Sequence, residues 1–416
     1  MAKAIVIGGG IVGLSSAYYL KQSGWDVTVV DKGDFSDNCS YGNAGYICPS
    51  HFVPLASPGI IKQGLRWMMN PESPFYVKPR LDWGLISWGL KFMRSATPDN
   101  LARNAVPLRD IALLSKHLYE AWVELPGFEF AYQRKGLLEF YKTPEKEAHA
   151  HHFADDAVKL GLDARMLSAA EVQAMEPDIK LDIKGALYFA GDAHLHPNKV
   201  MAQMLEHLKS IGVKLVPDAA VSAFEKSGGL IKKVKAGNDW MECDLAVIAT
   251  GSWSREVAKQ IGVNLPLVGG RGYSMVFSKG ELPLKHPAVL MEGRVALTPF
   301  DGQHTRLGGT MEITNLDAPP RMNRVMGIIK AAQAYFPEAS IPVPELKDVW
   351  YGYRPCSADG MPYIGRVKTC NNAIVATGHA MVGMSLGAGT GKLVSEIANE
   401  QPTSIDMAPY DVHRFD

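Results

Sequence analysis

The sequence predicts an α/β fold in which a Rossmann-like domain is interrupted by a second domain of mixed or antiparallel sheet. Three observations predict it. Near the start of the chain an apolar run, residues 4–7, ends in Gly8, Gly10 and Gly13 at the spacing GxGxxG; a helix-compatible segment and a second apolar run, 27–30, then lead to Asp31. Two further apolar runs of the buried parallel-strand kind, 244–249 and 373–377, lie far down the chain. Between these runs come many short alternating segments with turn signals, the pattern of a second sheet.

The glycine spacing carries a specific physical reading. Gly8 permits a tight turn, Gly10 lets backbone approach a pyrophosphate, and Gly13 lets the helix pack close to the strand. The helix N-terminus presents free N–H groups to phosphates, and Asp31 can accept hydrogen bonds from ribose hydroxyls. Strand pattern, glycines, helix pattern and acid in that order point to a dinucleotide site.

After Asp31 a polar loop, 32–45, leads into a segment punctuated by Pro49, Pro54, Pro58, Pro71, Pro74 and Pro79, where long regular structure is expected to be broken. Helices are expected over 101–125, 144–160, 168–175, 198–211 and 323–336. Strands are expected within 128–141 and at 185–189, 214–216, 220–225, 231–235, 273–278, 289–290, 296–299 and 305–309. The final strand, 373–377, runs through Gly378 into a helix that starts near Met384 and ends near 398. The long insertions between the three parallel-type strands suggest a cofactor held permanently by a discontinuous domain.

Composition removes several function classes. Acids and bases balance at 43 each, so no bulk field favours nucleic acid. The five cysteines (Cys39, Cys48, Cys243, Cys356, Cys370) form no CxxC pair and fit a reducing compartment. No apolar run reaches the ~20 residues that span a bilayer, and the chain opens on a core strand, so the expectation is a cytoplasmic protein without a cleaved leader. His149, His151 and His152 are not at a spacing that converges on one ion, and no metal site is expected.

Five stretches together carry a family resemblance: GGGIVG (8–13), SYGNAG (40–45), VIATGSWS (247–254), YRPCSADGMPYIG (353–365) and TGHAMVGMSLGAGTGK (377–392). In this order they resemble the FAD-dependent D-amino acid oxidoreductase superfamily, most of all its bacterial D-amino acid dehydrogenases. Glycine oxidase and sarcosine oxidase are more distant relatives.

The resemblance implies a glutathione-reductase-like FAD domain over 1–85, 196–265 and 345–416, with a substrate domain over 86–195 and 266–344. It implies non-covalent FAD along Gly8, Gly10, Ile11, Val12, Gly13, Asp31 and Lys32, along Ser40, Asn43, Ala44 and Gly45, and along Val221, Thr250, Gly251 and Trp253. Gly378, Gly383, Met384 and Ser385 complete that set, with the last helix's N-terminus aimed at the flavin. By the same resemblance Arg354 grips an amino acid carboxylate, which suits a planar guanidinium. Tyr273 is expected to add a phenolic bond, and His379 to act through its backbone or ring.

The implied reaction is oxidative deamination of a D-amino acid to a 2-oxo acid and ammonia, by hydride transfer from the α carbon to flavin N5. Electrons then pass to a quinone or another respiratory acceptor. Glycine, sarcosine or a cyclic imino acid such as D-proline or hydroxy-D-proline are alternative substrates, and a non-catalytic flavin-holding electron-transfer subunit is an alternative of another class. Aromatic residues interleaved with Lys62, Arg66, Lys78, Arg80, Lys91 and Arg94 make 60–94 a candidate peripheral contact with the inner face of the cell membrane, or a cover for the flavin site.

Overall fold

The computed structural model describes residues 1–68 and 70–416. Its organising element is a six-stranded sheet in the order Tyr363–Val367, Cys370–Thr377, Leu245–Ile248, Lys3–Ile7, Asp26–Val30, Lys214–Val216. All neighbours pair in parallel except the first two, which are antiparallel. Its central strands are buried on both faces, which explains why 4–7 and 245–248 read as continuous apolar runs rather than alternations.

One face is covered by the helices Ile11–Gln22, Gly383–Ala398 and Pro98–Val123, packed through Leu14, Leu108, Ile111, Tyr119, Trp122 and Leu393. The glycines of the last helix explain the close fit. A Cβ at Gly391 would lie 2.4 Å from the Ser15 carbonyl carbon, and one at Gly387 would lie 2.9 Å from Ile11. Each interior glycine costs a helix roughly 1 kcal/mol, offset here by backbone-to-backbone packing. The other face carries a three-stranded antiparallel sheet, Val221–Ser227, Leu230–Ala236 and Asp239–Glu242, whose Ile231 and Val234 meet Ile5, Ala246 and Ile248.

A nine-stranded sheet forms the second body. Its order is Trp350–Ser357, Leu267–Ser278, His304–Ile313, Val295–Phe300, Ala288–Leu290, Leu137–Tyr141, Gly185–Phe189, Ala164–Ser168, with Phe75–Val77 paired in parallel to His304–Ile313. The helix Met322–Gln333 packs Val325, Ile328 and Ile329 against it.

Several elements depart from the sequence reading. The proline-rich segment holds two helices, Ile60–Met68 and Trp83–Ser95, because Pro49, Pro54 and Pro58 fall before the first and Pro71, Pro74 and Pro79 between the two. Asp82 caps the second helix by accepting from Gly84 N (2.8 Å) and Leu85 N (3.2 Å). The expected domain boundaries also shift. Pro98–Val123 packs in the core beside the parallel sheet, not with the substrate domain, because its apolar stripe faces the last helix: a Cβ at Gly389 would meet Ile111 O and Ser115. Phe75–Val77 and Trp350–Ser357 belong to the large sheet through their backbone pairing. The strand expected at 273–278 starts at Leu267, and within 128–141 only Leu137–Tyr141 is a strand.

Within the large sheet, Arg271 and Glu312 are both completely buried. Arg271 Nε and Nη2 donate to Glu312 Oε2 at 3.0 and 2.7 Å, Tyr273 Oη donates to the same oxygen at 3.1 Å, and Arg321 Nε lies 3.3 Å from Oε1. Removing one member of a buried pair strands the other. Arg271→Met is therefore expected to cost about 3–5 kcal/mol, read as a lowered denaturant midpoint, and Arg271→Met with Glu312→Leu to recover most of it. A double variant no more stable than the single one would contradict this coupling.

Candidate functional site

The carboxyl ends of the parallel strands converge where Gly8 leaves the first of them. Gly8 adopts φ +114°, a conformation that favours glycine, and its N–H donates to Val30 O at 2.8 Å. A Cβ at Gly13 would sit 1.9 Å from Gly8 O, so only glycine lets the helix start this close to the strand end. Gly10 caps the helix without any side-chain bond and there is no acid in the first turn, while Ile11 N donates to Ser40 Oγ at 3.0 Å. The helix N-terminus is thus electrostatically open to an anion, with Ile11 and Val12 in its first turn.

Asp31 ends the second strand and accepts from Gly9 N (2.6 Å) and Gly33 N (2.8 Å), which fixes its carboxylate beside the glycine turn. Lys32 Nζ lies 3.1 Å from the centroid of the Trp253 ring, and burial draws its pKa down. Val221 opens the three-stranded sheet just after a stretch tied to the same turn by Ala219 N to Asp31 O (2.7 Å). At the end of the Leu245–Ile248 strand, Gly251 takes φ +54°. A hydroxyl chain, Thr250 Oγ1 to Ser254 Oγ (3.0 Å) and Ser254 Oγ to Thr377 Oγ1 (2.9 Å), links it to the neighbouring strand end.

The loop 40–45 lies across this edge. Gly45 takes φ +80° and a Cβ there would meet Leu195 O at 2.2 Å; Asn43 Oδ1 accepts from Gly45 N (2.8 Å), with Ala44 held between them. Arg306, a residue the sequence reading missed, clamps this loop by donating to Tyr41 O (2.7 Å) and Asn43 O (2.5 Å). Behind the loop, Cys48 N donates to Ser385 Oγ (2.9 Å), and Met384 O accepts from Tyr119 Oη (2.7 Å). Gly378 turns at φ +84°, and the helix that opens at Gly383 again has no acid in its first turn and no side-chain cap. Two helices therefore aim unneutralised N-termini at the same region.

Arg354 approaches from the large sheet. It is mostly shielded from water, and Nη1 donates to Thr310 O at 2.5 Å. Among the described residues no carboxylate lies within ion-pair distance of it. Burial pulls its pKa below the ordinary value, which is what a guanidinium without an anionic partner experiences. Its planar head lies on Gly272, where a Cβ would come within 2.1–2.2 Å of it. Thr310 itself sits at φ +67° in a register shift of its strand, a strained conformation for a β-branched residue. The run GGRG at 269–272 was the available sequence signal, since glycine within a strand marks a close approach.

The structure does not bring the other two expected residues to the same place. Tyr273 pairs with Tyr351 while Gly270 pairs with Arg354, so Tyr273 points to the opposite face of the sheet. There its hydroxyl is spent on Glu312 and Arg321 N (3.0 Å), and burial pushes its pKa up to about 12. His379 is buried, with Nε2 2.8 Å from Thr390 Oγ1, and burial draws its pKa down to about 3, so the ring is neutral. Its ring pins the 378–383 turn to the last helix, and its backbone bridges to Cys356.

The donor set fits a bound flavin dinucleotide. There are two open helix N-termini, glycines whose space a Cβ would fill, and an acid at the second strand end. Fold and site together define a flavin-dependent oxidoreductase. Residues 3–397 match the family described as FAD dependent oxidoreductase, and the chain belongs to that family; FAD is its cofactor. It is similar to the D-amino acid dehydrogenase of Granulibacter bethesdensis, 29% identical over 427 residues that cover 99% of both chains. The D-amino acid dehydrogenase of Helicobacter pylori is 28% identical, covering 96% of this chain and 95% of the relative. Among solved structures, glycine oxidase from Geobacillus kaustophilus superposes with TM-score 0.79 at 20% identity over 100% of both chains. L-proline dehydrogenase from P.horikoshii gives TM-score 0.76 at 18% identity, over 100% of this chain and 97% of that one. At these identities the two structures share the fold.

Gly13→Val is expected to drive its side chain into Gly8 O and to abolish flavin retention. The purified protein's ratio of visible flavin absorbance to protein absorbance reads this directly. A valine variant that keeps the wild-type ratio would contradict the assignment of this turn to FAD.

Proposed function

We propose that the protein is an FAD-dependent D-amino acid dehydrogenase that yields a 2-oxo acid and ammonia and passes electrons to a membrane quinone. The observation that carries the reading is Arg354: a shielded guanidinium with no anionic partner among the described residues, on a strand fastened to the flavin-site loops. A substrate carboxylate would supply the missing anion in a bidentate contact, fixing orientation as well as affinity. The names of the full-length relatives, at 26–29% identity, support the D-amino acid class.

FAD supplies the two-electron acceptor for the hydride from the α carbon. The chain's own residues hold and orient. Arg354 binds the carboxylate, Gly272 leaves room for the guanidinium, and the open N-terminus of Gly383–Ala398 favours negative charge near it. His379 is neutral and committed to Thr390, so it is not the base at the α carbon; the substrate amine enters unprotonated and its lone pair assists hydride departure. Water then hydrolyses the imino acid. Cys356 is buried with its thiol pKa pushed up to about 12 by burial, which supports non-covalent FAD.

The quinone reading draws on the surface of 60–94. Trp83 is 85% exposed, Leu65 63%, and Leu81 fully, with Leu90 and Met93 also exposed on the second helix. Lys62, Arg66 and Arg94 accompany them. Exposed aromatic and aliphatic side chains beside cations match an anionic lipid surface. Among the described residues no helix is long and apolar enough to cross a membrane, so the proposed contact is peripheral.

Anaerobic titration of the yellow protein with D- and L-amino acids, glycine, sarcosine and D-proline tests the substrate class. Bleaching by D-enantiomers, with reoxidation faster by a quinone analogue than by air, is expected. Bleaching mainly by glycine, sarcosine or D-proline would move the assignment to those amines, and no bleaching would leave a non-catalytic electron carrier. Arg354→Ala is expected to lower kcat/KM for the preferred amino acid ~10²–10³-fold, the worth of two charge-assisted bonds. An Arg354→Ala enzyme with unaltered kcat/KM would refute the carboxylate assignment.

A further inference from the structure

Helix Trp83–Ser95 presents two different faces. Leu85 and Trp88 are buried against Val268, Met311 and Cys356, while Trp83, Ile86, Leu90 and Met93 are exposed at a three-to-four residue spacing. Beside the C-terminal end of the exposed stripe an open cavity of about 310 Å³ lies between this helix, the start of Pro98–Val123 and the chain's last residues. It is lined by Lys91, Arg94, Arg103 and Arg414, and the only acid in its lining is Asp416.

Two of these cations are already engaged. Arg414 Nε and Nη2 hold Asp359 at 2.7 and 2.9 Å, and Lys91 Nζ donates to Phe415 O at 3.1 Å. Asp416 Oδ2 lies 2.5 Å from His413 Nδ1. Arg94 and Arg103 are exposed and, among the described residues, make neither hydrogen bond nor ion pair. They stand on successive helices joined by residues 96–97, where Thr97 Oγ1 caps the second by accepting from Asn100 N at 3.2 Å. Two unpaired guanidiniums that line one concave site can both donate to an oxyanion. The volume is about ten times the ~30 Å³ share of a single water, ample for a phosphate group.

We infer that this cavity binds a phosphate-bearing anion through Arg94 and Arg103. Because Arg94 lies one turn beyond Leu90 on the same helix, a phosphate seated there would have an apolar side-chain row next to it. That juxtaposition matches a phospholipid, whose headgroup adjoins its acyl chains, and free phosphate shares the same headgroup chemistry. The inference deepens the lipid-surface part of the proposed function. It does not depend on the amino acid reaction.

The test uses the FAD-loaded full chain, R94Q/R103Q, and a control, K232Q/K259Q, that removes two exposed cations elsewhere. Binding is read by titration calorimetry with inorganic phosphate, and by co-sedimentation with phosphatidylcholine vesicles with and without roughly 30 mol% phosphatidylglycerol, the anionic lipid that gives the vesicle a negative surface potential. Roughly tenfold weaker binding to the anionic vesicles in R94Q/R103Q, with the control like wild type, identifies the lipid headgroup. Loss of phosphate binding in R94Q/R103Q with unchanged vesicle binding identifies free phosphate as the ligand. If neither probe binds wild type, or if R94Q/R103Q matches the control in both assays, the site is overturned. Substrate bleaching of R94Q/R103Q, expected at the wild-type rate, reports the amino acid reading separately.

Discussion

The strand Trp350–Ser357 lies at the margin of the nine-stranded sheet, and a sheet margin exposes a row of N–H and C=O groups that need partners. Here most of the partners come from loops at the ends of the parallel strands, and one from helix Trp83–Ser95. Tyr353 N donates to Cys39 Sγ (3.2 Å), Ser252 Oγ donates to Tyr353 O (3.0 Å), Cys356 bridges His379, and Trp88 Nε1 donates to Cys356 O (3.0 Å). Trp350 adds an indole bond to Asp37 (2.9 Å), with its ring lying on Gly42. One strand therefore joins the large sheet to the segments 37–42, 250–254 and 378–383 of the candidate flavin site, and Arg354 sits in its middle.

Much of the site's chemistry follows from that junction. The position of Arg354 relative to the helix N-termini is set by backbone bonds on both sides of its strand, so the guanidinium is preorganised and not held by an anionic neighbour. An anionic neighbour would compete with a carboxylate ligand; a backbone carbonyl, Thr310 O, holds the head without neutralising it. The strain at Thr310 is the local cost of aiming that carbonyl. Trp88 carries the same junction outward, because the helix that bonds Cys356 also bears the exposed apolar row.

What was legible in the sequence was local. The GxGxxG turn, the acid at 31 and the apolar runs are read from neighbouring residues, and the structure places them at converging strand ends. Tyr273 shows where local reading stops. Which face a strand residue occupies depends on pairing with a distant strand, and a shift of one residue inverts it; the pairing of Gly270 with Arg354 spans 84 positions that carry no local signal. The glycines at 269, 270 and 272 hid the first half of that strand by lowering its strand propensity. The proline-rich segment misled in the opposite way, since its prolines fall before and between two helices instead of preventing them. Arg306 and Thr310 could not be singled out, because one acts by clamping a loop from a remote strand and the other by a backbone distortion.

The central claim is that Arg354 is the receptor for the substrate carboxylate, held ready by the strand that fastens the two bodies together. The most direct measurement is the affinity of a simple non-reactive carboxylate, such as benzoate, followed through its perturbation of the bound flavin's spectrum in the wild type, Arg354→Lys and Arg354→Met. The account predicts saturable binding to the wild type, a partial loss in the lysine variant, which keeps the charge but not the planar fork, and a larger loss in the methionine variant with FAD content unchanged. Equal affinity in all three would contradict it and place carboxylate recognition elsewhere in the site.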